Sequence, residues 1–467
     1  MRDFVLVHVN GEPHRIQGER AFQTLSRFLR YDQRATGTKI VCEEGDCGAC
    51  TVLVGRRENG ELRYRPINSC IQFLFQLDCA HIVTVEGLAR GGELTPVQDA
   101  MVRCHGAQCG YCTPGFIMAM AGMCEEGSKD ARRGLTGNLC RCTGYESIIR
   151  AANEVAGQPK IAQRYDSAPI LAAIAEVERE PVSIGKFAKP VDLNEAIRFK
   201  AEHPNTVIVQ GATDFGVWHT KRHFVPEAIL SLEGIEGLGD VRVDGRTLVV
   251  GGRASLAQFE AAIRDVVPAL VPVMDRFGSP QIKNAGTLAG NIANASPIAD
   301  TLPFLYVMNA SLELTGTKGA RTVAISDFYV GYKKLALQPD EIITRVFIPL
   351  PEGEETLRLY KISKRSHLDI STFTAAMLMK RNDGKIESMR IAYGGVGPMV
   401  LRLGQTEEFL SGRPFAQETF AEAGEIARGE IAPITDVRGS KEFRLQLAEN
   451  IMSRFYFECT SPPEAAP

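Results

Sequence analysis

The chain opens on a two-residue alternation of apolar and polar positions, Phe4 to Val9, followed by Asn10-Gly11 and a return run. That pattern predicts a β-hairpin closed by a two-residue turn. Apolar residues then recur at helical spacing from Leu25 to Tyr31, completing a small α+β unit. A second unit begins near Leu94, where Thr95-Pro96 fits an N-cap followed by proline at the first helical position. Two further helix starts follow, at Thr113-Pro114 and at Thr143-Gly144-Tyr145-Glu146, the latter as a capping box. From Gly157 to about Pro190, prolines and polar residues surround one amphipathic stretch, Ile170 to Val177, which suits a linker lying over a surface. Beyond it, Asp192 with Glu195 marks a helix start and Val207-Ile208-Val209 reads as a buried strand. Strands and helices alternate from there to a change of character near Pro349 to Glu355. A final α/β segment ends in a loose tail, Thr460 to Pro467.

Composition adds scale. At 467 residues, 44% of them apolar, the chain is too long for one core and long enough for about three. A net charge of -3 gives neither the basic footprint of a nucleic-acid binder nor an acidic disordered tail. The first residues run directly into the strand pattern, without the apolar block and cleavage site of a signal peptide, and no apolar run reaches the ~18 residues of a membrane span. A cytoplasmic location is the expectation.

The cysteines change the picture most. Eleven of the twelve fall within the first 142 residues, a crowding that points to metal or cluster ligation rather than to disulfides. Cys42, Cys47 and Cys50, with Cys70 from a later segment, have the plant-type spacing for a 2Fe-2S cluster. Gly45 and Gly48 permit the sharp bends that bring amide N–H groups to the sulfurs. Cys109, Cys112, Cys140 and Cys142 form a second set, for which a four-cysteine zinc site stays open by spacing alone. Helix starts directly after Cys112 and Cys142 aim two positive helix ends at that site, which favours a reducible anionic cluster. Cys79, Cys104, Cys124 and Cys459 read as small buried hydrophobes.

Two glycine-containing loops follow the linker, neither of them a Walker loop or a Rossmann fingerprint. Gln210-Gly211-Ala212-Thr213-Asp214 comes directly after a strand, so its amides and the Thr213 hydroxyl are placed to cradle a diphosphate, or to make an ordinary strand-to-helix turn. The run from Gly286 through Asn291 to Ser296 and Asp300 concentrates small donors suited to a phosphate-bearing ligand.

The strings CEEGDCGACTV, QCGYCTPGF and GNLCRCTGY resemble, in order and spacing, the two iron–sulfur domains of the xanthine oxidase and xanthine dehydrogenase family. The glycine loops resemble that family's FAD-binding segments, and the likeness covers nearly the whole chain. It implies a multidomain α+β fold: a plant-type ferredoxin β-grasp domain over 1–85, a helical 2Fe-2S domain over 86–157, a linker over 158–188, a two-part α+β FAD-binding domain over 189–350 and a C-terminal α/β flavoprotein domain over 351–467. It implies that Cys42, Cys47, Cys50 and Cys70 hold the cluster nearer the flavin, and that Cys109, Cys112, Cys140 and Cys142 hold the one nearer molybdenum. Gln108 falls on a contact to the pterin of the molybdenum cofactor, or is a solvated loop amide. Gly211, Thr213, Asp214, Thr287, Gly290, Asn291 and Asp300 fall on FAD contacts, Phe277 on the ring beside the isoalloxazine and Lys361 on a lysine near the flavin. Phe277 would otherwise be core, and the charges from Lys361 to Asp369 a solvated strand end. Ala212, where relatives often carry glycine, departs from the pattern and makes that turn tighter or shifted. The implied role is that of the electron-transfer subunit of a molybdenum hydroxylase, with NAD as acceptor, a molybdenum-containing large subunit as partner in a dimer of heterodimers, and a purine as substrate. A related aldehyde or N-heterocycle dehydrogenase, a self-contained NADH-dependent flavin reductase and a zinc-bound scaffold are the alternatives. No hydroxylation base is expected on this chain.

Overall fold

The computed structural model describes residues 1–89, 91–158, 160 and 165–460, so most of the expected tail lies outside the described residues. The chain divides into two compact units. The first comprises Met1–Gly237 with Ser255–Ala257 and Gly278–Thr287; the second comprises Leu238–Ala254, Gln258–Phe277 and Leu288–Pro467.

In the first unit the alternation at Phe4–Val9 becomes a strand paired antiparallel to Glu12–Gln17. Asn10 and Gly11, with φ of 51° and 97°, make the left-handed turn between them. These strands join a five-stranded sheet with Ala80–Val83, Thr51–Glu58 and Glu61–Asn68, in which only the pairing of Phe4–Val9 with Ala80–Val83 is parallel. A short helical stretch from Leu25 to Asp32 buries Leu25, Phe28 and Leu29. Three main helices follow, Pro96–Arg103, Thr113–Glu126 and Glu146–Val155. Thr95 caps the first through a box with Gln98. The second is buried continuously from Gly115 to Cys124, so it forms the centre of that helical core.

The stretch from 158 to 188 carries the helix Ser167–Val177 and the strands Val182–Ile184 and Phe187–Lys189. Those strands belong to a four-stranded sheet with Ile229–Leu230 and Val207–Ile208. Asp192 caps Leu193–Glu202 as its sequence position foretells. Phe73, Phe75, Phe187 and Phe215 pack ring to ring at 4.8–5.3 Å, fusing the core of the first sheet with that of the second. A buried ion triad reinforces the junction: Asp78 accepts from Arg2 at 2.8 Å and from Lys189 at 2.6 Å. Burial alone would raise the Asp78 carboxyl, but Lys189 and Arg2 outweigh it and hold the group at about 2.

The second unit holds an antiparallel five-stranded sheet, ordered Val241–Asp244, Thr247–Gly251, Ile342–Pro349, Ser311–Gly316 and Gly319–Ala324. A separate four-stranded antiparallel sheet, Glu355–Ile362 to Leu401–Arg402, shares a core with the helices Gln417–Gly429 and Lys441–Thr460 through Phe373, Tyr393, Phe420 and Phe455. Among the described residues no helix is long and apolar enough to cross a membrane.

Candidate iron–sulfur and flavin sites

All twelve cysteines are free thiols. In the first set, Cys42 lies within hydrogen-bond reach of both Cys47 and Cys70, and Cys70 of Cys50. The loop from Cys42 to Cys50 turns at Gly45 and Gly48, with φ of 77° and 68°, so its amides face inward. Cys42 Sγ accepts from the Cys47 N–H at 3.5 Å and from the Glu44 N–H, and Cys47 Sγ accepts from the Ala49 N–H. Cys50 and Cys70 are each 2% exposed, and Ile71, Val217 and Ile282 close over them.

The second set is open. Cys109 and Cys142 are exposed, with their sulfurs 3.5 Å apart, and Cys112 is within reach of Cys140. Thr113–Glu126 starts directly after Cys112, as expected, with Pro114 in its first turn. The capping box at Thr143 does not form. Glu146–Val155 begins with Tyr145 as N-cap at a φ of 71°, because the Thr143 hydroxyl is engaged by the Tyr145 N–H at 3.2 Å and by Cys140 Sγ at 3.2 Å. That hydroxyl therefore serves the thiol rather than the helix. The Tyr111 N–H and the Cys142 thiol hold Cys109 below the ordinary thiol range, whereas burial pushes Cys112 up to about 12. Among the described residues no three His, Cys, Asp or Glu side chains are placed to hold a single metal ion. Gln108 is exposed beside Cys109, and Tyr111 and Leu139 leave large apolar area around this set at 51% and 42% exposed.

Of the remaining thiols, Cys79 packs with Ile170 and Ile174, and Cys124 is buried. Cys104 is buried too but has a polar partner, Glu154, at 3.0 Å, and Cys459 is only half-buried. Small hydrophobe is thus an incomplete description of the last two.

The flavin-loop residues divide between the units. In the first, Gly211 approaches the 278–287 segment so closely that a Cβ on it would stand 2.0 Å from the Ala285 carbonyl oxygen. Ala212 takes a φ of 53°, which explains why glycine suits that position, at a strain of about 1 kcal/mol. Thr213 Oγ1 lies beside Gly286, Asp214 precedes the helix Phe215–Arg222, and Thr287 bridges to Ser255. In the second unit Phe277 is half-buried, Gly290 exposed, and Asn291 Oδ1 accepts from Thr301 at 2.6 Å. Lys361 is not at a solvated strand end. Its ammonium donates to Asp300 at 2.6 Å, Ser371 at 2.7 Å and the Asp369 carbonyl at 3.0 Å, and Ser371 donates to the other Asp300 oxygen at 2.5 Å. Lys364, Arg365 and His367 are the members of that run that stay exposed.

Comparison with known proteins agrees with this layout. Residues 7–74 match a 2Fe-2S iron–sulfur cluster binding domain, 84–153 a 2Fe-2S binding domain, 182–351 the FAD binding domain in molybdopterin dehydrogenase and 358–459 the CO dehydrogenase flavoprotein C-terminal domain. The chain is 29% identical to xanthine dehydrogenase of Blastobotrys adeninivorans, over 96% of this chain and 40% of that protein. It is 28% identical to aldehyde oxidase 1 of Bos taurus, over 97% and 39%. The chain thus spans about 40% of the length of these curated relatives. Among solved structures, quinoline 2-oxidoreductase from Pseudomonas putida 86 superposes with a TM-score of 0.55 at 25% identity, covering 59% of this chain and 96% of the other. In chain order the matches are two 2Fe-2S domains, an FAD binding domain and a CO dehydrogenase flavoprotein C-terminal domain, and over about 40% of their length the chain is similar to xanthine dehydrogenases.

Proposed function

We propose that this chain is the electron-transfer subunit of a molybdenum hydroxylase, taking electrons from a molybdenum-containing large subunit through two 2Fe-2S clusters to FAD and then to NAD. The observation that carries the reading is the asymmetry of the two thiol sets. Cys109 and Cys142 are exposed, within reach of an incoming partner, whereas Cys50 and Cys70 are buried against Val217 and Ile282, which lie in the stretch matched by the FAD-binding model. When bound, the clusters supply one-electron conduction and the flavin converts single electrons into pairs.

The residues supply ligands, donors and exclusion of water. Cys42, Cys47, Cys50 and Cys70 hold the inner cluster and Cys109, Cys112, Cys140 and Cys142 the outer one. The plant-type spacing of Cys42, Cys47 and Cys50 and the 2Fe-2S domain matches over both sets support two-iron groups over a single zinc. The Glu44, Cys47, Ala49 and Tyr111 N–H groups donate to the sulfurs, stabilising added negative charge. Gln108 contacts the pterin across the partner interface. Gly211, Thr213, Asp214, Phe277, Thr287, Gly290, Asn291, Asp300 and Lys361 hold FAD, with Lys361 fixing Asp300 rather than acting as a free cation. We place the domain boundaries at 1–85, 86–157, 189–350 and 351–467, with 158–188 as the connecting stretch. The substrate pocket lies on the partner. A purine fits the similarity to xanthine dehydrogenases, and the similarity to an aldehyde oxidase and a quinoline oxidoreductase supports an aldehyde or N-heterocycle as the second reading.

Purification of the native assembly tests this. Expected are two irons and two acid-labile sulfides for each thiol set, one FAD, and a molybdenum-containing partner that co-elutes. Stoichiometric zinc in a chain without visible absorption would overturn the proposal.

A further inference from the structure

The carbonyl oxygen of Gly48, in the loop between Cys47 and Cys50, accepts from three donors. Thr51 N–H lies at 3.1 Å, Thr51 Oγ1 at 2.6 Å and Asn138 Nδ2 at 2.9 Å. A carbonyl can only accept, so Asn138 must present its amino group to Gly48 and its Oδ1 to the other side. There Gln281 Nε2 donates to Asn138 Oδ1 at 2.8 Å and to Thr51 Oγ1 at 3.2 Å. Thr51, Asn138 and Gln281 are 2%, 3% and 1% exposed, which leaves water no route to compete. The donors therefore point one way, from Gln281 through Thr51 and Asn138 to the Gly48 carbonyl. At the other end of the same peptide unit, the Ala49 N–H donates to Cys47 Sγ.

Close approach makes this convergence obligatory. A Cβ on Gly48 would stand 2.2 Å from Gly137 O, one on Gly137 2.0 Å from Gln281 Oε1, and one on Gly115 2.3 Å from Gly48 O. Segments from both thiol loops, from the helix after Cys112 and from the flavin-matched stretch thus meet at one peptide group.

Donors on a carbonyl polarise the peptide unit and strengthen its N–H as a donor. A stronger N–H bond to a cluster sulfur favours the reduced state, one of the means by which proteins set cluster potentials. We propose that Gln281, with Asn138 and Thr51, forms a positioning relay that raises the reduction potential of the cluster held by Cys42, Cys47, Cys50 and Cys70, acting through the Gly48–Ala49 peptide. The step tuned is uptake of one electron from the neighbouring cluster; no bond forms or breaks and no proton moves. The inference rests on the reading that these four thiols hold a 2Fe-2S cluster.

The test compares the native assembly with Thr51→Val, Asn138→Leu and Gln281→Met. Iron and sulfide are counted first, and the two clusters are then titrated potentiometrically by their separate EPR signals. One cluster should shift to lower potential while the other keeps its midpoint, the reduced-to-oxidised ratio at fixed potential falling by about two- to tenfold, the worth of a fraction of to one hydrogen bond. Gln281→Met should shift it least, being one bond further away. Thr51→Val preserves side-chain shape and so decides the matter even if Asn138→Leu fails to fold. An unchanged midpoint in Thr51→Val with both clusters assembled, or an equal shift of both, would overturn the relay. A native assembly without iron and sulfide would overturn the underlying reading instead.

Discussion

The two thiol sets have the same number of ligands and opposite surroundings. The Cys42 set lies where the strand Thr51–Glu58 begins and Glu61–Asn68 ends, with Cys50 and Cys70 each 2% exposed and apolar side chains closed over them. The Cys109 set is held by helix ends and a turn, with two of its four sulfurs on the surface beside the exposed Tyr111 and Leu139. Burial fixes the first set through packing and a relay of hydrogen bonds, whereas the second keeps an open side where a partner can approach. Ligand count alone would make them equivalent. What distinguishes the open set from the buried one is the packing around them.

Two glycines sharpen this contrast most. Gly48 and Gly110 both take positive φ, 68° and 78°, but a Cβ on Gly48 would stand 2.2 Å from a backbone oxygen while one on Gly110 meets nothing within 4 Å. Gly48→Ala should therefore cost about 3 kcal/mol or more, combining the left-handed penalty with a backbone clash, and strip iron from the inner set. Gly110→Ala should cost only about 1 kcal/mol, with both sets loaded. Denaturant unfolding with iron analysis measures both, and equal losses would remove the distinction between a packed and an open loop.

The Asp78 triad tests the rigidity behind the inner set. Its folded value of about 2 lies below the ordinary 3.8, so its contribution of about 2 kcal/mol is present above pH ~4 and is lost as pH falls from about 4 to about 2. Unfolding free energy followed against pH should show that slope in the native chain and lose it in Asp78→Asn. The same slope in both would mean the triad does not hold the framework.

A smaller effect is expected on the open side. Gln108→Leu should weaken coupling to the molybdenum partner by about 1 kcal/mol through an unpaired polar group on the cofactor, with both clusters still assembled. Normal substrate-driven reduction and normal assembly in that variant would make Gln108 only a loop residue.

Local pattern made much of this readable. The alternation from Phe4 to Val9, the Asn10-Gly11 turn and the Thr95-Pro96 cap each act within a few residues, so the sequence carries them directly. Thr143 misled because its hydroxyl has a competitor, the Cys140 thiol, that wins over the expected cap. Lys361 looked like part of a solvated charge run, yet its carboxylate partner, Asp300, is 61 residues away. Gln281 had no signal at all. Its partners Thr51 and Asn138 lie 230 and 143 residues earlier, and nothing in a glutamine's neighbours announces a contact made only by folding.

The central claim, that electrons enter at the open set and reach the flavin through the buried one, is tested most directly by Cys109→Ser in the native assembly. With flavin retained, substrate-driven reduction of the flavin should be lost while bleaching by NADH stays at the native rate, because only the entry side is damaged. Equal loss of NADH-driven and substrate-driven reduction in that variant would contradict the proposed order.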